Sequence, residues 1–516
     1  MNLRKIRLDW ISKRQKKIYF INPQRRESSS QTVGNNNASF DSSIDEKYAT
    51  NGGIIEGIWI FHRHGDRTPS SPLVAEHLIE KEAAFWRTKL PDASIVEDVS
   101  SRFPKRSHSK RNVDYLDGKR EPYGFLTRVG TSQMFNAGRK FASRYKHLGR
   151  TARNLLNDDT SGSTLLNQWD ITAYSTNYLR TITSAQFFLE GLLYSKDPTP
   201  TNKQSYTQTL DMEDSMPSIN PITHVNVRSR DVDTLNAFDK NPEKMLSLVS
   251  EVVSTPTFQS RDTLALPLAT LLANFLPGLA TNKKNLFGGP SGINWIHATD
   301  HFVCRAAHGM KLTSFEDERH PSDGHDDDDD DDDKDVNSNN IMKNTDIFWN
   351  SRHEEQMQAL AFPTKAHLAW RYQQWFTHSP LLSAIVVPPL TEVEREIRAT
   401  PKLNIDEKRP LKIYSCHDVT ILSLLYGLGA TTVIQNERYW PPYATTLVFE
   451  LVKIMETDEY VIRVLLNGRP VQNERKRLMR IDDFTTLIRN LQLAGDLDDD
   501  NVDTSAMERD MAGWTG

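Results

Sequence analysis

The sequence predicts an α/β fold: a sheet with helices on both faces, plus an inserted, mainly helical lobe. Three observations carry this. Apolar runs of strand length recur at "IIEGIWIF", "WDITAYST" and "LKIYS". Each is followed by a polar stretch and then by a helix-like segment. Between about residues 195 and 365 this rhythm gives way to consecutive helical segments separated by Pro-, Gly- and Asn-rich links. Strand, polar turn and helix in repetition is the pattern of helices packed on a sheet.

Residues 1–50 are expected to lie outside that fold. Before Glu27 the chain carries Arg4, Lys5, Arg7, Lys13, Arg14, Lys16, Lys17, Arg25 and Arg26 against a single acid, Asp9, with serines at Ser28 to Ser30. Basic, acid-poor and Ser-containing is the composition of an organellar presequence; a basic tail is the other reading. The Ser-, Asn- and Gln-rich stretch to residue 50 has little to bury and reads as disordered.

The first core part is expected over 51–194. "IIEGIWIF" runs straight into His62. In "GTSQMFNAGRKFASRYKHLG", Met134, Gly138, Phe141 and Tyr145 are spaced 4, 3 and 4 apart, one buried face of a helix that Gly149 stops. "NYLRTITSAQFFLEGLL" predicts a second helix, with Leu179, Ile182, Phe187 and Leu193 turned inward. The lobe, 195–365, contains "EKMLSLVSEVV" and "LALPLATLLANFL", together with an acidic segment, 315–343, expected to be a disordered loop. Its run Asp326 to Asp333 lacks the turn glycines of a calcium loop and reads as a solvated charge run. The second core part, 366–497, holds "LKIYS", the helical "VTILSLLYGLG" and a hairpin made of "TTLVFELVKI" and "EYVIRVLLNG"; a polar tail, 498–516, follows.

Bulk properties narrow the function classes. A net charge of −5 with 25% charged residues does not suggest a nucleic-acid binder. The most apolar window, Val419 to Ile434, is interrupted by Gly427 and Gly429 and falls short of the roughly 20 residues of a membrane span, so no transmembrane segment is expected. Two cysteines, Cys304 and Cys416, cannot build a multi-disulfide framework, which points to an intracellular setting, mitochondrial or else cytoplasmic.

The chemistry is expected where three strands end, at "HRHGDRTP", "STNYLRT" and "CHDVT". In an open α/β sheet, ligands bind beyond the carboxyl ends of the strands. Convergence there would gather Arg63, His64, Arg67, Arg180, His417 and Asp418, a set of cations with one carboxylate. Close arginines repel unless an anion lies among them, and the guanidinium fork matches phosphate oxygens. The expected ligand is therefore a small-molecule phosphate monoester. A neutral imidazole attacks phosphorus when one ring nitrogen is held as N–H, and Gly65, directly after His64, can turn its carbonyl to do so. Phosphoryl transfer asks mainly for positioning and charge stabilisation, which the arginines supply without a metal or other cofactor. Asp418 is the carboxylate placed to protonate the leaving alkoxide.

"RHGDRTP" with a distant "CHD" resembles the histidine acid phosphatases, the larger branch of the histidine phosphatase superfamily. Further similar stretches are "YGFLTRVGTSQ", "STNYLRTITSAQFFLEGL", "NPITHV", "DHFVCRAAHG", "WPPYATTLVFEL" and "LLNGRPV", spread over about residues 54 to 470. The resemblance implies His64 as the nucleophile that becomes a phosphohistidine. It implies Arg63, Arg67, Arg180 and His417 as the phosphate pocket, and Asp418 as proton donor. "HD" in place of a "HAE"-type ending places the chain with the acid phosphatases and phytases. "HDVTILSLLYGLG" followed by "WPPYATTLVFEL" looks most like the lysophosphatidic acid phosphatase type 6 group, a mitochondrial one, which implies a lysophospholipid substrate; a phytase-like inositol phosphate phosphatase and a non-catalytic phosphate binder are the alternatives.

Two departures stand out. Asn241 occupies a position where secreted relatives carry a disulfide cysteine, and His62 stands where relatives mostly carry an apolar or small residue. Two metal readings also arise. His62 and His64 point the same way on a strand, but arginines beside them disfavour a dication. His297, His301, Cys304 and His308 share a helical face, yet they span about 16 Å at 1.5 Å rise per residue, too far for one ion. No metal site is expected. Cys416 reads as a small buried side chain. Trp349, Trp370 and Trp375 line either an apolar channel or a core.

Overall fold

A computed structural model of the chain describes residues 53–107, 121–145, 169–193, 223–281, 289–309, 338–404, 407–434, 439–471 and 478–496. The expected N-terminal extension, the aspartate run and the C-terminal tail lie outside these residues, as does Gly149.

Among the described residues nine strands form one sheet in the order β2-β4-β3-β5-β1-β6-β7-β8, with β9 paired to β7. The strands are β1 (Gly53–Arg63), β2 (Lys105–Ser107), β3 (Trp169–Ser175), β4 (Val225–Val227), β5 (Arg409–Cys416), β6 (Thr446–Ile454), β7 (Tyr460–Leu466), β8 (Arg469–Pro470) and β9 (Leu478–Arg480). β2, β4, β3, β5 and β1 run parallel, and β6 and β7 add the expected antiparallel hairpin on the far side of β1.

Side-chain alternation along the strands separates two cores. Ile58 and Ile60 of β1, Leu411 and Ile413 of β5 and Val448 of β6 face one way. They pack on α3 (Arg128–Tyr145) and α4 (Leu179–Leu193) through Met134, Phe141, Tyr145, Ile182, Phe187 and Phe188. Here α1 is Ile79–Arg87 and α2 is Ala93–Arg102. Trp59, Phe61, Tyr414, Cys416, Leu447 and Phe449 face the other way, into a larger core shared with the lobe. Phe61 stacks on Tyr414 with ring centroids 4.6 Å apart. A fully buried aromatic of this kind contributes about 2–3 kcal/mol by area.

The lobe is built from α5 (Pro242–Ser254), α6 (Pro256–Thr263), α7 (Leu266–Phe275), α8 (Trp295–Ala307), α9 (Ser338–Thr377) and α10 (Ser379–Ala399), with α11 (Asp418–Gly427) and α12 (Ile481–Asp496) packing on the same face. Three boundaries differ from the sequence reading. β4 is a core strand inside the expected lobe, too short at three residues to show an alternation. The expected break at 365 falls within α9, whose apolar side chains continue through it into the shared core. That helix also begins at Ser338, inside the stretch expected as a loop. Trp370 and Trp375 are fully buried core residues; the side chain of Trp349 lies outside the description. Among the described residues no helix is long and apolar enough to cross a membrane.

Candidate active site

Register makes the site. Arg63 at the end of β1 pairs with Cys416, and Ser175 at the end of β3 pairs with Ser415, so three parallel strands stop level with one another. The next residues, His64, Thr176 and His417, are therefore neighbours. The His64 amide donates to the Cys416 carbonyl at 3.1 Å and the Thr176 amide to the Ser415 carbonyl at 3.2 Å. The imidazoles of His64 and His417 lie 5.7 Å apart, centroid to centroid.

The turn after His64 is held by close backbone contact. A Cβ on Gly65 would sit 2.4 Å from the Gly130 carbonyl oxygen, and one on Gly130 would sit 2.1 Å from that of Asp66. Only glycine permits the first turn of α3 to approach this loop so closely. The Gly65 amide donates to Ser184 Oγ on α4 at 3.1 Å. His64 Nδ1 donates to the Gly65 carbonyl at 2.8 Å, the contact expected from sequence. A carbonyl only accepts, so the proton is on Nδ1 and Nε2 keeps its lone pair. Burial, then Arg180, Arg63, Arg67 and His417, hold the His64 pKa well below the ordinary histidine value. Burial and the same arginines do this to His417, which lies 3.1 Å from Thr176 Oγ1 through Nε2.

The arginines are fixed by partners. Arg63 donates through Nη1 to the Pro441 carbonyl at 2.6 Å, pairs through Nη2 with Asp418 Oδ2 at 2.8 Å, and lies 4.2 Å over the Tyr443 ring. Arg67 donates to both oxygens of Asp300, at 2.9 and 2.8 Å, and to the Thr68 carbonyl. Arg180, on the first turn of α4, lies 4.4 Å over the Tyr178 ring, whose edge meets His417. Each guanidinium has five N–H donors, so these contacts orient Arg63 and Arg67 and leave donors for a ligand. Asp418 opens α11; its Oδ1 accepts from the Val419 amide at 2.9 Å and its Oδ2 from the Trp440 indole at 3.1 Å.

All six residues singled out from sequence thus stand around one site. Expecting a single carboxylate was wrong: Asp300, from α8, is a second one. Burial opposes its charge, but Arg67 and Ser70 more than offset this and lower its pKa. Asp300, Tyr443, Trp440 and Tyr178 were missed, although "DHFVCRAAHG", "WPPYATTLVFEL" and "STNYLRT" contain them.

His62 continues the Ile58 and Ile60 face of β1 and stacks on Phe188 at 5.1 Å, and burial lowers its pKa to about 4. The α8 cluster disperses. His297 meets Ser71, Cys304 meets Tyr443, and His308, just past the helix, meets Asp66 at 2.7 Å. Among the described residues no group of three or more His, Cys, Asp or Glu is arranged to hold a metal ion. Cys304 and Cys416 are both free and buried; burial pushes the Cys416 thiol far up, as suits a packed side chain rather than a reactive one.

The family model for the histidine phosphatase superfamily (branch 2) matches residues 54–257 and 335–467. The chain is 34% identical over 64 residues to the human lysophosphatidic acid phosphatase type 6, a stretch covering 12% of this chain and 14% of that protein. The Bos taurus protein of the same name is 28% identical over 128 residues, 22% of this chain and 29% of that protein. The matched stretches are thus a minor part of these relatives. Among solved structures, the Hafnia alvei phytase in complex with tartrate aligns over 85% of this chain and 97% of its own, with 13% identity and a TM-score of 0.45. The Bifidobacterium longum multiple inositol polyphosphate phosphatase in complex with inositol hexasulfate aligns over 89% and 94%, with 11% identity and a TM-score of 0.44.

Proposed function

The chain belongs to the histidine phosphatase superfamily (branch 2); from that premise we propose that it is a phosphoric monoester hydrolase, in which His64 attacks the phosphorus of a phosphate monoester through Nε2 and becomes a phosphohistidine. Arg63, Arg67, Arg180 and His417 hold the phosphoryl oxygens, and Asp418 gives its proton to the departing alkoxide. Water, giving a proton back to the Asp418 carboxylate, then attacks the phosphohistidine; the P–N bond breaks, its electron pair returns to Nε2, and inorganic phosphate leaves. The observation that carries this reading is the 2.8 Å hydrogen bond from His64 Nδ1 to Gly65, which selects the tautomer with a lone pair on Nε2. The guanidiniums supply the charge stabilisation that a dication supplies elsewhere, and on this reading the reaction is metal-independent.

For the substrate we favour a lysophospholipid such as lysophosphatidic acid over an inositol polyphosphate. Three partly exposed aromatics, Tyr178, Trp440 and Tyr443, adjoin His417, Asp418 and Arg63. Such a rim suits an apolar leaving group better than one bearing further phosphates. The compartment proposed from residues 1–50 is the mitochondrion.

Rapid quench of the wild-type enzyme during turnover should trap acid-labile, base-stable protein phosphate, and His64→Ala should lose both the phosphoenzyme and the activity. Near-normal turnover by that variant would falsify the mechanism. Comparing kcat/KM for lysophosphatidic acid and for phytate tests the substrate: preference for phytate removes the lysophospholipid reading.

A further inference from the structure

From the geometry around Asp418 we infer that Trp440 is a positioning residue, whose indole N–H keeps the general acid aimed at the leaving group while the phosphate engages Arg63. The inference rests on the acid role proposed for Asp418.

Asp418 Oδ2 carries two contacts, one from Arg63 Nη2 at 2.8 Å and one from Trp440 Nε1 at 3.1 Å. The two differ in what a substrate does to them. Arg63 is a phosphate ligand on the reading above, so an arriving dianion competes with Asp418 for its guanidinium. The indole N–H is a donor only, is uncharged, and offers a phosphate one bond at most. When Arg63 turns to the phosphoryl oxygens, the Trp440 contact on Oδ2 persists. Oδ1 stays on the Val419 amide at 2.9 Å, so the carboxyl keeps its plane through the step in which it gives up its proton.

Trp440 is itself held from both sides. Its ring meets the edge of Tyr372 on α9, with centroids 5.1 Å apart, and Tyr372 is buried at 4% exposure. The backbone around it is tied to the nucleophile loop: the Pro441 carbonyl accepts from Arg63, and the Ala444 amide donates to the His64 carbonyl at 3.2 Å. Ala444 takes φ +57, a left-handed conformation that a side-chain-bearing residue adopts at a cost and keeps where its surroundings enforce it. A short segment between α11 and β6 thus braces nucleophile, phosphate ligand and acid together, and Trp440 is its contact with the acid.

The test is Trp440→Phe, which keeps an aromatic ring against Tyr372 and removes the N–H. On an alkyl phosphate kcat should fall on the order of tenfold, part of the roughly 100- to 10,000-fold a positioned acid supplies. On an aryl phosphate with a good leaving group the loss should be several-fold smaller than on the alkyl phosphate, because little protonation is needed. The inhibition constant of inorganic phosphate should stay within about twofold. In an Asp418→Asn background, Trp440→Phe should add nothing, since the group it positions is gone. Equal losses on both substrates, or full additivity with Asp418→Asn, would overturn the inference. If Trp440→Phe does not fold, Trp440→His, a smaller ring that retains an N–H, carries the comparison: an alkyl-phosphate kcat closer to wild type than to Asp418→Asn supports the inference, and a selective alkyl loss as large as that of Asp418→Asn overturns it. Should Asp418→Asn itself lack leaving-group dependence, the acid reading fails; should it show that dependence while Trp440→Phe does not, only the positioning role fails.

Discussion

Replacing His62 with phenylalanine should make the fold markedly less sensitive to acid. His62 is fully buried, stacked on Phe188, and has a pKa lowered from 6.5 to about 4 by burial. The hydrogen bond from its Nδ1 to the Arg63 carbonyl, at 3.3 Å, is long. A folded-state pKa below the unfolded one means that the unfolded chain binds the proton first as pH falls. The stability this residue confers is thus fully present above pH 6.5 and is lost progressively as pH drops through about 4. At about 1.4 kcal/mol per tenfold difference in proton affinity, the whole span amounts to roughly 3 kcal/mol, most of it between pH 6.5 and 4.5. Phenylalanine keeps the stack and has nothing to protonate. His62→Phe should then lie within about 1 kcal/mol of wild type at pH 7.5 but gain roughly 2–3 kcal/mol on it at pH 4.5. Asp233 works in the opposite sense: burial raises its pKa to about 7, so its contribution is lost as pH rises through that value. It is common to both proteins and cancels in their difference. Urea unfolding of the two proteins at both pH values reads the quantity directly. An equal wild-type-to-variant difference at pH 7.5 and 4.5 would refute the reasoning.

Asp300→Ala leaves the buried Arg67 charge without its partner and should cost about 3–5 kcal/mol in unfolding free energy; because a bound anion restores the balance, inorganic phosphate should raise the Tm of this variant more than that of wild type. Activity should survive EDTA and be inhibited by vanadate or tartrate; loss with EDTA and rescue by zinc would contradict a pocket based on arginine. With His64 held neutral, its pKa well below 6.5, the rate should persist into mildly acidic buffer and fall only once pH drops through that depressed value, whereas a fall beginning at pH 6.5 would contradict the shift. A fusion of residues 1–50 to a fluorescent protein should enter mitochondria, and a cytosolic fusion would remove that proposal.

Much of the site was legible in sequence because its key parts are local. An apolar run that ends at a histidine, a glycine directly after it, and an acid directly after a second histidine are relations among neighbours in the chain, and strand-end chemistry follows from them. The 3.6-residue spacing of Met134, Gly138, Phe141 and Tyr145 likewise identified a buried helix face. Pairings between distant segments were not legible. Arg67 and Asp300 are 233 positions apart, and "DHFVCRAAHG" offers several polar side chains with equal local credentials. Which of them turns toward the loop after β1 depends on how α8 docks against it. The same holds for Trp440 and Tyr443, whose partners are chosen by the path of the segment between α11 and β6. Sequence by itself determined the chemical groups of the pocket, because strand periodicity and turn chemistry are short-range. Tertiary structure alone decided which carboxylates and aromatics hold those groups in place, because burying a charge requires a partner that packing, rather than sequence proximity, brings within reach.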